Sequence, residues 1–341
     1  MKTYAIINDW NKVLVSMMSH ITVITHTDNI KNSIIVVPYD FEYIDDIHHS
    51  NKIILTWTND SILKYKELYD RYYEKINVYY ILDGTPFESV NNSFIIENAF
   101  LSENLHITEG NKIPSNNRNN TFFSLIGRAD KARDELINLL YASDILNNGC
   151  VVYHCNGNIS NNISAFLSTP MNGDPFEKNF DIPINSKIRY DDMPVSIYYS
   201  NYNIELVVET TTKAHYVTEK TIKPISARMP FLCVSSPSYL GYLHKLGFKT
   251  FSDVFDESYD EIVDDQLRMQ AIVDILSSLI ESGDIYNLYD ATKEILMYNE
   301  DHLNWITNTH SSRMHKELHS IIKQIGKIDA KFSTNSNRKN T

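Results

Sequence analysis

Short apolar runs rich in Ile, Val and Tyr alternate with helical stretches along much of the chain, and this alternation constrains its fold more than any other feature. The runs 33–37, 52–57 and 78–82 have the length and the β-branched content of buried strands. Between the last two, residues 60–74 carry apolar side chains at steps of three and four, which predicts a helix. Strand, helix and strand in this order predict a parallel sheet in an α/β fold.

A second α/β pattern follows a polar segment. Residues 110–120 contain five asparagines and almost no apolar side chain, which indicates a linker. Further strands and helices are predicted over 121–126, 131–141, 150–155, 204–208, 230–234 and 264–327. We therefore predict one α/β domain at 1–118, a second at 119–305, and a C-terminal helix with a disordered tail at 306–341.

Composition excludes several classes of protein. The 341 residues include 31 Lys and Arg against 43 Asp and Glu, a net charge of -12 that disfavours nucleic acid as a partner. No apolar run approaches the roughly 20 residues that span a bilayer, and the first ten residues lack the pattern of a signal peptide. The three cysteines cannot form a disulfide framework. These features predict a cytoplasmic protein without a membrane span.

The stretch 204–224 concentrates charged side chains where a strand gives way to a helix. The strand 204–208 leads into Glu209, and Pro224 predicts a helix start near Thr221, because proline is best tolerated in the first helical turn. A ribose diol needs a carboxylate acceptor, and a pyrophosphate needs cations and backbone N–H groups. The expected helix start offers such groups in Glu219, Lys220 and Lys223. The alternative is a solvated corner with a paired glutamate.

These residues carry a family resemblance. Residues 209–220 resemble the C-terminal signature of the α-1,3-fucosyltransferase family, which is Glu-Asn-Ser, three variable positions, Asp-Tyr, an aliphatic residue and Thr-Glu-Lys. The chain keeps the spacing of ten between the two glutamates of this signature. It departs from the signature at Thr210, Thr211 and His215.

A second resemblance is to a group of phage and marine-virus glycosyltransferase-like proteins. It rests on the blocks 218–225, 230–231 and 246–261, where the last block carries phenylalanines at core-like helical spacing. The two resemblances together cover about residues 122–280. They imply a GT-B architecture, in which two Rossmann-like domains face each other across a cleft. The C-terminal domain would hold a nucleotide sugar, with a GDP-linked sugar favoured, and the N-terminal domain would face the acceptor.

The resemblance also implies roles for single residues in the donor site. Glu219 would bind the ribose and Lys220 the phosphate, and Tyr216 would line the nucleotide site. Thr210 stands where the family has an asparagine, and it is counted with Thr218 and Lys223 among the donor-binding residues.

Two arginines compete for a further role at the pyrophosphate. Residues 132–137 resemble the early helix of the family's donor domain, whose arginine reaches the pyrophosphate, and Arg133 is the match. Arg128, which follows Gly127 in a strand-to-helix loop, is the rival. A surface position without a function is the alternative for either residue.

The reaction requires a base, because an acceptor hydroxyl must lose its proton as it attacks the anomeric carbon. Asp83, at the end of a predicted strand and before Gly84, is the first candidate, with a turn-capping role as its alternative. Glu209 is the second candidate, unless it serves the sugar or a structural hydrogen bond. Glu97 and Glu103 are weaker candidates. The resemblance implies an inverting transferase, and neither it nor the sequence motifs predict a metal or another cofactor.

The sequence thus predicts a glycosyltransferase of the hexosyl or fucosyl type, which acts on a glycan or another hydroxyl acceptor. One alternative is a viral enzyme that glycosylates a hydroxymethylated DNA base, which the net charge disfavours. The other is a non-catalytic module that binds a nucleotide or a sugar. A viral protein of this kind would work in the cytoplasm of the host.

Overall fold

The structure is a computed structural model, which describes most of the predicted strands and helices. The described residues are 2–5, 21–25, 30–38, 50–57, 78–83, 85–86, 93–96, 118–126, 130–153, 163, 167 and 196–336. The predicted helix 60–74 and the candidates Arg128, Glu97 and Glu103 lie outside them. Contacts divide the chain into a first unit, Met1–Glu103 with Thr307–Thr341, and a second unit, Asn104–Ile306. The domain bounds inferred from the sequence stay predictions.

The described residues form a mixed α/β structure. Its strands are β1 Thr3–Ala5, β2 Ile21–Val23, β3 Ile34–Pro38, β4 Lys52–Trp57, β5 Val78–Asp83, β6 Thr85–Pro86, β7 Ser93–Ile96, β8 Asn120–Ile126, β9 Cys150–Tyr153, β10 Tyr202–Val208, β11 Ala214–His215 and β12 Phe231–Val234. Its α-helices are α1 Lys131–Ala142, α2 Ser196–Asn201, α3 Glu219–Ser226, α4 Tyr239–Lys245, α5 Asp265–Ser282 and α6 Leu288–Ser336. Single 3-10 turns cover Leu146–Asn148, Ser258–Glu261 and Asp284–Asn287.

The first unit is built on a parallel sheet in the order β2-β1-β3-β4-β5-β7. The central strands β3 and β4 bury their apolar residues, among them Ile35, Val37, Ile53 and Leu55, as strands inside a parallel sheet do. The later part of α6 packs on this sheet through a stripe at steps of three and four residues: Met314, Leu318, Ile321 and Ile325. The sheet contributes Ala5, Val36, Ile54 and Tyr79 to the same core.

The second unit holds a parallel sheet in the order β12-β10-β8-β9. From β8 the chain passes through α1 to β9 on one side, whereas from β10 it passes through α3 to β12 on the other side. The topological switch point therefore lies between β8 and β10. A cluster of aromatic side chains supports the centre of the sheet, where Phe123 stacks on Tyr198 at a centroid distance of 5.4 Å.

Most of the predicted elements are confirmed. The strands predicted over 33–37, 52–57, 78–82, 121–126, 204–208 and 230–234 and the helix over 131–141 match the structure to within two residues. The block 246–261 does not form the helix that its aromatic spacing indicated, although Phe248, Phe251, Phe255 and Tyr259 are all buried. Turns and one 3-10 turn bring these rings into the core instead. α6 continues to Ser336, and residues 337–341 of the predicted disordered tail lie outside the described residues.

Candidate functional site

The candidate site lies at the carboxyl edge of the sheet of the second unit, beside the switch point between β8 and β10. Open parallel sheets bind ligands in this position, because the connections on either side diverge and leave a crevice. α1 follows β8 and α3 follows β10, so both helices begin at this edge. The first turn of a helix presents backbone N–H groups and a positive dipole end, which favour a phosphate.

Thr218 sets the start of α3. Its backbone is extended, with φ of -118°, and its hydroxyl oxygen accepts a hydrogen bond from the backbone N–H of Lys220 at 3.3 Å. This is the N-cap geometry that satisfies a donor without a partner in the first turn. The helix therefore begins at Glu219, two residues before the predicted start near Thr221. Pro224 is in its interior and not in the first turn.

Glu209 directly follows β10 and is 3% exposed. One carboxylate oxygen accepts hydrogen bonds from the hydroxyls of Thr221 at 2.6 Å and Tyr239 at 2.9 Å, and from the backbone N–H of Thr218 at 3.2 Å. The other oxygen accepts from the hydroxyl of Thr218 at 2.5 Å and from the backbone N–H of Thr210 at 3.2 Å. Because a carboxylate has about four acceptor positions, these contacts use all of them. Glu209 thus joins the end of the strand to the start of α3.

Two partners of Glu209 were not identified from the sequence. Thr221 lies in the motif Thr-Glu-Lys-Thr, three residues after the helix cap, and this spacing could have indicated it. Tyr239 opens α4, thirty residues after Glu209, and no local pattern marks it. Burial and the charge of Glu209 raise the pKa of Tyr239 well above its ordinary value, so its hydroxyl remains a hydrogen-bond donor.

Arg133 reaches the same strand end from the first turn of α1. It is 4% exposed, and its guanidinium donates a hydrogen bond to the backbone carbonyl of Glu209 at 3.2 Å. A second guanidinium nitrogen pairs with Asp130 at 3.3 Å, and the same carboxylate caps α1 by accepting from the backbone N–H of Arg133 at 3.0 Å. The structure thus brings together the two predicted residues Arg133 and Glu209, at the switch point.

Glu219 and Lys220 form an ion pair at the start of α3. The Lys220 ammonium lies 2.5 Å from the Glu219 carboxylate and also donates to the hydroxyl of Thr210 at 3.1 Å. Burial alone would raise the pKa of Glu219, but the charges of Lys220 and Lys223 outweigh it and hold that pKa below its ordinary value. Glu219 is therefore an ionised acceptor, and three of the predicted donor-binding residues meet at this point.

Lys223, unlike the neighbouring Glu219 and Lys220, is buried. Its charge acts on Glu219 and on Glu205, a carboxyl group inside β10. Burial raises the pKa of Glu205 to about 8, and the hydroxyl of Tyr199 donates to this carboxyl group at 2.8 Å. Glu205 was not identified from the sequence, although an acidic residue within the apolar strand 202–208 could have indicated it.

The loop between Glu209 and α3 is fixed to the start of α5. Asp265 accepts a hydrogen bond from the hydroxyl of Thr212 at 2.7 Å and pairs with Lys213 at 2.8 Å. Its other oxygen pairs with the buried Arg268 at 2.5 Å. Burial favours the neutral acid, but these donors outweigh it and lower the pKa of Asp265. The middle of the loop that carries Thr210 is thus fixed to the start of α5.

The remaining predicted site residues are Tyr216 and Asp83. Tyr216 is buried in the segment between β11 and α3. Asp83 ends β5, as predicted, and pairs in register with Ile96 of β7. Its role as a base stays a prediction. In that sheet the switch point lies between β1 and β3, so Asp83 ends a strand two places away from it.

Within the described ranges, no group of three or more His, Cys, Asp or Glu side chains could hold a metal ion. None of the helices within those ranges combines the length and the apolar character needed to cross a bilayer.

The comparisons with known proteins are confined to solved structures, since no family model and no curated protein matches the sequence. The chain is similar to an α1,3-fucosyltransferase with GDP-fucose at 12% identity and a TM-score of 0.44, over 88% of this chain and 90% of that one. It is similar to a crystal structure of an α1,3-fucosyltransferase at 12% identity and a TM-score of 0.49, over 95% of this chain and 90% of that one. A third similar structure is an α1,3-fucosyltransferase with GDP, at 11% identity and a TM-score of 0.43, over 89% of this chain and 90% of that one.

Proposed function

We propose that the protein is a glycosyltransferase that moves a sugar from a nucleotide-sugar donor, GDP-linked by preference, to a hydroxyl group of a glycan or another acceptor. The observation that supports this most is the group of charges at the start of α3. Lys220, Glu219 and Arg133 lie beside a helix start at the switch point of a parallel sheet. A diphosphate and a ribose diol together require this combination of cation, helix start and carboxylate.

Donor binding would exchange partners within the ion pair of Glu219 and Lys220. A diphosphate oxygen would take the Lys220 ammonium from Glu219, and the ribose hydroxyls would donate to the carboxylate that the lysine leaves. The low pKa of Glu219 supports this exchange, because only the ionised group offers both oxygens as acceptors. Arg133 would add positive charge where the leaving diphosphate gains negative charge.

The reaction would be a displacement at the anomeric carbon. The acceptor oxygen forms a bond to that carbon, the bond to the diphosphate breaks, and the acceptor proton passes to a carboxylate. We assign that carboxylate to Asp83, whose place at the carboxyl end of β5 supports this role. Glu209 accepts five hydrogen bonds, and taking a proton would remove at least one of them. We therefore regard Glu209 as a positioning residue, in contrast to the catalytic role predicted from the sequence.

From the resemblance seen in the sequence, we also propose that the enzyme is of the GT-B type, inverts the anomeric carbon and needs no metal. Each unit contains an open parallel sheet with its own switch point, as a Rossmann-like domain does. The unit with the charged helix start would bind the donor, and the unit with Asp83 would bind the acceptor.

Thermal unfolding with nucleoside diphosphates tests donor binding directly. The panel contains GDP, UDP, ADP, CMP and TDP, each with and without EDTA. We expect one nucleotide to stabilise the protein in both conditions, by about 2.7 kcal/mol at 100 times its dissociation constant. The variant Lys220→Ala should bind that nucleotide at least about tenfold more weakly, because it loses one charge-assisted hydrogen bond.

Lys213→Ala is the matched control, because Lys213 is also an ion-paired lysine of this region but is 61% exposed. It should bind the nucleotide as the wild type does. Equal binding by the Lys220 variant and the wild type would refute the proposed site. If the protein binds a nucleotide but transfers no sugar with any combination of donor and acceptor, the non-catalytic module is favoured instead.

A further inference from the structure

Arg118 lies two residues before β8, at the amino edge of the sheet of the second unit and thus at the edge opposite the candidate site. Its backbone is fixed by the buried side chain of Asn203 in β10. The amide group of Asn203 donates to the carbonyl of Arg118 at 3.1 Å and to that of Asn120 at 2.6 Å. The position from which the arginine side chain extends is therefore tied to two neighbouring strands.

The guanidinium of Arg118 is buried without an acceptor. The residue is 6% exposed, and Nε and both terminal nitrogens have no hydrogen-bond partner among the residues that the structure describes. The ring of Tyr289, in the first turn of α6, lies against the guanidinium with its centroid 4.9 Å from the central carbon. A cation–π contact uses the face of the guanidinium, whereas its N–H groups lie in the plane and point outward. The contact with Tyr289 therefore satisfies none of the donors.

A buried cation without an acceptor is strongly unfavourable. Burial lowers the pKa of Arg118, but a guanidinium remains protonated at neutral pH. Proteins resolve such a conflict by pairing the buried charge and completing its hydrogen bonds. A planar fork of donors with one face covered by a ring is complementary to an anion that offers two oxygens in the same plane.

We propose that Arg118 is the core of a second binding site, which holds a small oxyanion such as phosphate or a dicarboxylate at the amino edge of this sheet. The anion would accept two parallel hydrogen bonds from the guanidinium, with the ring of Tyr289 on one face. The site is independent of the proposed nucleotide-sugar site, which lies at the carboxyl edge.

The test is thermal unfolding of the full chain in series of phosphate and of malonate, with sodium chloride adjusted to keep the ionic strength constant. We expect one anion to raise the melting temperature by a few degrees along a saturable curve, and the responding anion identifies the class of ligand. Arg118→Met should lose this rise. Arg118→Lys keeps the charge without the fork, so its apparent affinity should be at least about tenfold weaker.

Two further variants separate this site from other anion effects. Lys220→Ala should keep the rise in melting temperature if the anion binds at Arg118. If the rise came from phosphate bound at the proposed nucleotide site, this variant would lose it. Arg228→Met is the matched control, since Arg228 is a half-exposed arginine paired with Glu300. It should also keep the rise.

Three results would overturn the proposal. The first is a wild type that responds to neither anion, or that responds to both without saturation, as a general salt effect would. The second is a saturable response that survives in Arg118→Met. The third is a combined result: Arg118→Met has a lower melting temperature in chloride alone, while phosphate and malonate do not change the melting temperature of the wild type. That result would place the partner of Arg118 within the chain. If Arg118→Met does not fold, the Arg118→Lys titration decides, and an unchanged affinity there refutes the site.

Discussion

Replacing Glu209 by glutamine tests whether this residue acts by holding the start of α3. The change keeps the shape of the side chain but converts one accepting oxygen into an NH2 group that can only donate. In either orientation of the amide, that group faces at least two donors, because each carboxylate oxygen accepts from two or three. Glu209 is 3% exposed, so water does not replace the lost partners.

The size of the effect follows from the number of bonds. A hydrogen bond to a charged group contributes about 1.5–3 kcal/mol, and a buried donor left without a partner costs about 1–3 kcal/mol. Because the five bonds share one group, their contributions do not add, and we expect Glu209→Gln to lower the free energy of unfolding by about 3 kcal/mol. For a unit of this size, each kcal/mol corresponds to about 2–4 °C, so the melting temperature should fall by about 6–12 °C.

Circular dichroism on heating, without nucleotide, measures the fall directly. Glu261→Gln is the control, because Glu261 is an exposed carboxylate in the same unit, and its melting temperature should stay within about 1–2 °C of the wild type. Tyr239→Phe removes one of the five bonds and should lower the free energy of unfolding by about 1–2 kcal/mol. The double variant should lose less than the sum of the two single losses, because both changes affect one network.

A melting temperature of Glu209→Gln equal to that of the wild type, together with loss of sugar transfer, would refute this reasoning. That result would mean that the carboxylate has a free acceptor position and serves as the general base. A positioning role predicts the reverse order of effects. The fold should be weakened first, and donor affinity should fall with it because Thr218 no longer holds the helix start.

Three further predictions concern the same unit. Burial raises the pKa of Glu205 to about 8, so the folded state holds a proton that the unfolded state releases near pH 4.5. The free energy of unfolding should therefore fall as the pH rises from 4.5 to 8, by up to roughly 1.4 kcal/mol per pH unit. Glu205→Gln should flatten that slope in melting curves from pH 5 to 9. Arg133→Met should weaken binding of the stabilising nucleotide by at least about tenfold in titrations, because it removes a buried cation from the switch point. In a denaturation assay, Gly149→Ala should lower the free energy of unfolding by about 1–3 kcal/mol, since its Cβ would lie 2.3 Å from the Phe122 ring. Gly241→Ala is the control, because its Cβ meets open space within a helix, and it should raise the free energy of unfolding by about 0.5–1 kcal/mol.

The elements that could be predicted from the sequence are those whose pattern is local. β4 was predicted with the correct ends, because a parallel strand is apolar on both faces and stands out as a continuous run. The block 246–261 was not predicted correctly, although its aromatic residues are buried. Spacing at three and four residues reports which side chains are buried, and turns can bury them as well as a helix can. Glu257 in this block accepts hydrogen bonds from the hydroxyl of Thr250 and from the backbone N–H of Phe251, which hold the turns together.

The candidate site shows the same limit at the level of single contacts. The order of Glu209, Glu219 and Lys220 was visible in the sequence because these residues lie within one short segment. The contacts of Glu209 with Tyr239 and Arg133 depend on two other connections of the sheet, at distances of thirty and seventy-six residues along the chain. Only the strand order brings these residues to one edge, and the sequence does not state that order.

The choice of lysine at the proposed phosphate position depends on where α3 begins. A start near Thr221, as Pro224 suggested, would place Lys223 in the first turn. The hydroxyl of Thr218 instead caps the helix two residues earlier. Glu219 and Lys220 then occupy the first turn, and Lys223, one turn further along, is buried where its charge acts on Glu205. A cap that supplies a hydrogen bond thus outweighed the preference of proline for a first turn, and this shift of two residues makes Lys220 the lysine expected to bind phosphate.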